Sequence, residues 1–269
     1  MVDAYELEDN EILYINKWMD LDSNLKVGFT TRNGGTSRGY FTSNNLGLHV
    51  SDDYDDVIAN RKKLAATIKI PLEKWVAGEQ IHHTSVQIVE PTDVGKGAKS
   101  VESSLEGVDG IITKETGILC TAFFADCVPL FFFDPITKYI GIAHAGWKGT
   151  VGRIAEVMTT KLIALGCNIK DINVTIGPCI SKEYYEVDEF VKNRIPLEHR
   201  EQVLTPVENG HYLLDLKQLN VEILVQSGVL RSNIDITKYC TFRDDNLFFS
   251  HRRDQGETGR MLGFIGYSC

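Results

Sequence analysis

The sequence predicts an α/β or α+β fold, a sandwich of mixed sheets in one domain over residues 1–269. Two observations carry this. Four strand-like runs follow one another without a helix between them: Val108 to Thr113, Gly117 to Ala125, Leu130 to Phe133 and Tyr139 to Ala143. Helical patterns are few and set apart. The strongest is Lys148 to Leu165, where Val151, Ile154, Ala155, Met158, Leu162 and Leu165 form one apolar stripe that Gly166 stops. A doubly wound sheet would alternate strand and helix throughout, and this chain does not.

The remaining elements follow in chain order. Ile12 to Trp18 and Leu25 to Thr31 read as strands. The segment Thr31-Arg32-Asn33-Gly34-Gly35-Thr36-Ser37 reads as a glycine turn carrying one arginine, either a plain surface turn or an anion-binding loop. Ser51 to Ile68 reads as a helix capped by Ser51, with acids in its first turn and Val57, Ile58, Leu64, Ala65 and Ile68 on one face. Lys74 to Ala77 and Ser85 to Glu90 read as strands around Gln80-Ile81-His82-His83, and Pro91 to Gly107 as an exposed loop with a helical piece. Asp171 to Ile176 reads as a strand, and Glu186 to Ile195 and Leu216 to Gln226 as helices. Tyr239 to Arg243, Leu247 to Ser250 and Arg260 to Tyr267 read as the last strands.

Composition narrows the function classes. The net charge of −9 argues against non-specific binding to nucleic acid or to an anionic membrane. Met1 to Asn10 is acidic and polar, unlike a secretion signal, and no apolar run approaches a membrane span. The six cysteines form no C-x-x-C pair, so reduced thiols in a cytoplasmic protein are the expectation.

The organising stretch is Ala125-Asp126-Cys127-Val128-Pro129 through His144-Ala145-Gly146-Trp147. A two-residue turn at Pro135-Ile136 would place Cys127 opposite His144, with Cβ atoms roughly 5 Å apart. Pro129 works against this, because it cannot donate to the ladder. With His82 added, two imidazoles and a thiolate make a zinc set with a fourth position open, and copper suits the same donors. The bland alternative is a buried cysteine and a strand-end histidine. Another is a metal-free thiol nucleophile, Cys127, activated by His144 and oriented by Asp126 or Asp109. A second cluster, Ser250-His251-Arg252-Arg253-Asp254 to Arg260, brings positive charge to an acidic chain. It reads as an anion site or as a solvated turn.

Taken together, several motifs resemble one family. They are Thr31-Arg32-Asn33-Gly34-Gly35, Asn45-Leu46-Gly47, Asn60-Arg61, Gln80-Ile81-His82, Ala125-Asp126-Cys127-Val128-Pro129, His144-Ala145-Gly146-Trp147, Gly177-Pro178-Cys179-Ile180, Asp215-Leu216, and Ser250-His251-Arg252-Arg253-Asp254 to Thr258-Gly259-Arg260. The chain is similar in these to the YfiH-like laccase-domain family, also described as multicopper polyphenol oxidases and as purine nucleoside phosphorylases. The resemblance runs from about Val27 to Tyr267. It implies a four-layer α/β/β/α sandwich and one zinc on His82, Cys127 and His144. The implied activity is phosphorolysis of adenosine, inosine, guanosine and methylthioadenosine, plus adenosine deamination, with purine nucleosides and phosphate as partners. Arg32, Arg252 and Arg253 are the expected phosphate contacts, Asp126 the expected support for a ligand, and a monomer or homodimer the expected state. His83 departs from the family pattern, which more usually has glycine there.

Overall fold

A computed structural model describes residues 3–268 and is a mixed α/β structure built on two six-stranded sheets. The first sheet runs, in spatial order, Glu6–Glu8, Ile12–Tyr14, Leu25–Thr30, Met261–Tyr267, Leu119–Phe124 and Trp75–Ala77. The second runs Ile234–Ile236, Asn173–Ile176, Val128–Phe133, Ile140–Ala145, Gly110–Thr113 and Val86–Ile88. Inner pairs are antiparallel, while Trp75–Ala77, Ile234–Ile236 and Val86–Ile88 join at edges in parallel, so both sheets are mixed as expected. None of the helices is long and apolar enough to cross a membrane, among the described residues.

Alternation along the central strands sorts the core into three clusters. In Val128–Phe133, residues Val128, Leu130 and Phe132 pack with Ile154, Ala155, Met158, Leu162, Leu219 and Leu224 of two helices, Ile154–Ala164 and Leu216–Gln226. Phe131 and Phe133 turn the other way and meet Val27, Phe29, Cys120, Phe124 and Ile265 of the first sheet. Leu119, Phe123, Leu262 and Phe264 face a third cluster with Leu64, Ala65 and Ile68 of the helix Tyr54–Ile68. Buried aromatic side chains such as Phe131 contribute about 3 kcal/mol each through lost apolar exposure.

The structure changes five local expectations. The strand hairpin has a longer loop than two residues. Its last pair is Phe133 with Ile140, and pairing continues through Pro129, opposite His144, to Val128 opposite Ala145. The reason lies in the turn. Proline cannot take the positive φ that a two-residue hairpin turn needs. Instead the Asp134 carboxylate accepts from Ile136 and Thr137 N–H, and Lys138 takes the left-handed position at φ +65°. The register shift is two residues, so every side chain keeps its face.

The long helix breaks into Trp147–Val151 and Ile154–Ala164 at Gly152-Arg153, where Arg153 has φ +67° and a Cβ on Gly152 would meet Thr84 Cγ2 at 2.7 Å. Glu186 to Ile195 is mostly not helical. Glu186–Val187 joins Tyr212–Leu214 and Leu204–Pro206 in a small third sheet, leaving only Glu189–Lys192 as helix. Tyr239 to Arg243 and Leu247 to Ser250 are turns, gathered by Asp244, which accepts from Cys240 N–H and caps Leu247 N–H through its carbonyl. At the helix Tyr54–Ile68 the cap is Asp53 rather than Ser51, accepting from Asp55 and Asp56 N–H.

Candidate active site

Three chain segments meet at one end of the space between the two sheets. His144 lies near the end of Ile140–Ala145, on the inter-sheet face beside Phe124, with ring centroids 5.6 Å apart. Cys127 sits just before Val128–Phe133, after a corner at Asp126 with φ +87°. His82 follows Trp75–Ala77 in a tight turn where Gln80 and His82 both have positive φ, 61° and 63°. Gln80 fixes that turn by pairing its side-chain amide with both backbone groups of Phe123, at 2.8 and 2.9 Å.

The donor atoms of His82, Cys127 and His144 all lie within 4.8 Å of one another. Cys127 Sγ is 4.0 Å from His82 Nε2, and the two imidazoles meet edge to face at 4.7 Å. A tetrahedral zinc site with these donors has ligand–ligand edges of roughly 3.3–3.8 Å. Closure by up to about 1.5 Å seats an ion, so the residues fit a metal. Gly146 is what allows the approach. It stands across from Cys127 at the strand end, and a Cβ there would meet Cys127 Sγ at 3.0 Å and His82 Cδ2 at 2.9 Å. Asp109 supplies the orienting shell. Its Oδ1 lies 2.9 Å from His144 Nδ1 and accepts from His82 N–H, and its Oδ2 accepts from His83 N–H. The hydrogen bond holds a proton on Nδ1 and leaves Nε2 of His144 as the free donor.

Electrostatics agree with a thiolate. Burial opposes charge on Cys127, but the neighbouring His144 and His82 override it and lower the thiol well below its ordinary value. Burial also opposes charge on His144, and Cys127 and Asp109 override it and raise the imidazole. The thiolate and the imidazolium therefore hold each other charged in the protein alone.

A cleft of about 540 Å³ opens over these three donors and is lined also by His49, Gln80, Phe123, Asp126, Tyr185, His251, Arg252 and Arg260. A larger surface groove of about 710 Å³ runs past Lys17, Arg231 and Asp235, and among the described residues no histidine or cysteine lines it. Of the arginines expected from sequence, Arg252 is in the cleft. Its guanidinium donates to Glu186 O and stands 5.1 Å from the Tyr185 ring centre. Arg32 does not line it. That guanidinium lies over Phe249 and donates to the carbonyls of Thr42 and Asp245. Arg253 does not line it either, being bonded to Asp254 and to the carbonyls of Thr241, Phe242 and Phe248. Asp126 lines the cleft, but its carboxylate accepts from Thr241 Oγ1, Ser250 Oγ and Arg252 N–H. The carboxylate that holds a ligand is Asp109. His83 is exposed and outside the donor group.

His49 and Arg260 escape the sequence reading as site residues. The one signal for them is that each adjoins a motif, His49 after Asn45-Leu46-Gly47 and Arg260 at the end of Thr258-Gly259-Arg260. His49 stays neutral: burial, then the charge of Arg260 and Arg61, pushes its imidazole down to about 4.

Comparison with known proteins adds a family. The sequence model of the family described as multi-copper polyphenol oxidoreductase laccase matches residues 26–268. The purine nucleoside phosphorylase YlmD of Bacillus subtilis is 42% identical, with 97% of this chain and 96% of that protein covered. Its namesake from Geobacillus stearothermophilus is 45% identical over 89% of each chain. Among solved structures, the Bacillus licheniformis hypothetical protein YfiH superposes with a TM-score of 0.95 at 39% identity, covering 99% of this chain and 100% of that one.

Proposed function

The chain belongs to the multi-copper polyphenol oxidoreductase laccase family, and from that premise we propose that it is a zinc-dependent purine nucleoside phosphorylase. The substrates of this reading are adenosine, inosine, guanosine and methylthioadenosine, each cleaved with phosphate to the free base and the pentose 1-phosphate. Adenosine deamination accompanies it. The names of the relatives support phosphorolysis. The observation that carries it to this chain is one cleft in which a His/Cys/His donor set faces two arginines, Arg252 and Arg260.

The chemistry asks for both. Breaking the bond from C1′ to the purine nitrogen leaves positive charge on the ribose and an electron pair on the purine. A phosphate dianion held at C1′ offsets that charge and forms the new C–O bond. Arg252, braced on Glu186 O and Tyr185, presents guanidinium N–H groups for such an anion. Zinc on His82, Cys127 and His144 would supply a Lewis acid for the charge developing on the purine. Asp109 keeps the Nδ1 proton of His144 in place and fixes the turn of His82 through its backbone N–H. Copper suits the same donors. A copper polyphenol oxidase is the weaker reading, because four-electron reduction of oxygen asks for several metal sites and one donor group is present among the described residues. The line Cys127, His144, Asp109 also favours a second reading, a thiol hydrolase with nucleophile, base and orienting acid.

Inosine cleavage followed by chromatography while phosphate is varied tests the proposal. Hypoxanthine and ribose 1-phosphate formed in equal amounts, in proportion to phosphate, are expected. Base release that ignores phosphate, with no ribose 1-phosphate, refutes it.

A further inference from the structure

Three motifs meet behind the cleft: Asn45-Leu46-Gly47, Asn60-Arg61 and Thr258-Gly259-Arg260. They form one network. Asn45 Oδ1 accepts from both Gly47 N–H and Arg260 N–H, at 3.0 and 2.8 Å, and Leu46 N–H donates to Arg260 O. Asn60 Nδ2 holds Asn45 O, and buried Arg61 donates to the carbonyls of Leu46, Gly97 and Ala98 while lying over Phe123. The network ends in two side chains at the cleft. His49 packs on Phe123, with centroids 5.8 Å apart. The Arg260 stem lies against Gly47, where a Cβ would meet its Cγ at 2.7 Å.

Arg260 is a cation with an unfilled fork. It is partly buried, and Nη1 donates to Thr258 O and Gly259 O. Among the described residues it makes no carboxylate ion pair, and Nε and Nη2 make no hydrogen bond to protein. Neither ring nitrogen of His49 is bonded to a described residue, so its neutral ring offers one N–H beside the fork. Both side chains line the donor-set cleft and also a neighbouring compartment with Tyr40, Ser51, Gly256 and Thr258. A guanidinium fork without a carboxylate, next to a neutral N–H donor, is the chemistry that takes a tetrahedral oxyanion.

We infer that Arg260, with His49 beside it, is the principal phosphate-binding residue of the cleft, in the role that sequence assigned to Arg32, Arg252 and Arg253. This rests on the phosphorylase reading, so its test has two arms. In the kinetic arm, Arg260→Gln should raise the apparent KM for phosphate at least ten-fold while the KM for inosine stays within about two-fold, and Arg260→Lys should recover part of the loss. Metal content and melting temperature show that the variants are folded, and Arg260→Lys serves alone if the glutamine variant is not. An unchanged phosphate KM in either folded variant overturns the inference. In the binding arm, inorganic phosphate should raise the melting temperature of the unaltered protein, and Arg260→Gln or Arg260→Lys should reduce that shift. If the unaltered protein cleaves inosine without regard to phosphate, the phosphorylase reading has failed, and the binding arm alone decides. A phosphate shift lost in the variants supports an oxyanion site at Arg260. An equal shift, or none in the unaltered protein, overturns it.

Discussion

Replacing Asp109 by Asn should separate the support of the metal site from its ligands. The carboxylate takes three hydrogen bonds in a buried place: His144 Nδ1 at 2.9 Å and His82 N–H at 3.0 Å on one oxygen, His83 N–H at 2.8 Å on the other. Asparagine keeps one acceptor and turns the other into a donor. The amide then serves His144 and His82, and its NH₂ faces the His83 N–H, or the reverse with two donors opposed. The first arrangement costs less and leaves one buried donor unsatisfied, about 1–3 kcal/mol. For a chain of this size that is a fall in melting temperature of roughly 2–12 °C. The lost charge also weakens the pull on the Nδ1 proton of His144, so zinc affinity should drop about 10–100-fold. Competition against a chelator of known affinity measures the second effect and thermal unfolding of the metal-free protein the first. Full zinc affinity in a variant with an unchanged melting temperature would mean that Asp109 neither orients His144 nor holds the His82 turn.

Other outcomes follow from the same geometry. Cys127→Ala and His144→Ala should each lose zinc by elemental analysis with the fold retained by circular dichroism, and full occupancy in either refutes the ligand set. Gly146→Ala should do the same through crowding alone, since its Cβ would sit 3.0 Å from Cys127 Sγ; a zinc-replete Gly146→Ala protein contradicts the cradle. In the metal-free protein, His144 and His82 favour the thiolate and lower Cys127, so it loses its proton at a lower pH than an ordinary thiol. Alkylation of Cys127 should therefore stay fast as pH falls below the usual thiol range and slow only through about pH 6, where the thiolate is protonated. A midpoint near the ordinary thiol value of 9.0 excludes the charge pair.

The sequence makes the sheet cores legible because their periodicity is strong. Phe131 and Phe133 face one way and Leu130 and Phe132 the other, and alternation of that kind survives a register error. The hairpin illustrates this. Cys127 and His144 are not opposite, as a two-residue turn requires, yet a slip of two residues leaves both on the inter-sheet face. Contacts set by loops are less visible. Arg32, Arg252, Arg253 and Arg260 all stand in glycine-flanked turns and look alike in sequence. What sorts them is which backbone carbonyls each guanidinium meets, and those lie far along the chain, as with Arg32 on Asp245 O and Arg253 on Phe248 O. Asp109 is visible in the sequence only as one of two acids, with Asp126, that could orient His144, and the fold selects it by placing both His144 Nδ1 and the His82 N–H on its carboxylate.

The turns that carry these side chains show what local rules leave out of the site. Gln80, His82 and Asp126 all hold positive φ, at 61°, 63° and 87°, in positions where glycine would be free of strain. Each costs of order 1–3 kcal/mol, and such conformations persist only where surrounding bonds over-determine them. Those bonds are present. Gln80 is tied twice to Phe123, His82 N–H is tied to Asp109, and Asp126 is tied to Thr241, Ser250 and the Arg252 N–H. Every tie joins a ligand turn to a residue at least 27 positions away, so the turns are held by the tertiary fold and not by local sequence. Glycine at these positions would remove the strain and with it the side chains that answer it. The Asp126 bonds also fasten the Ser250–Arg252 turn to the corner that carries Cys127, so one carboxylate sets the distance between the thiolate and the Arg252 guanidinium. Sequence assigned Asp126 the role of supporting a metal ligand, and in the structure its carboxylate bonds the Cys127 corner to Thr241, Ser250 and the Arg252 N–H.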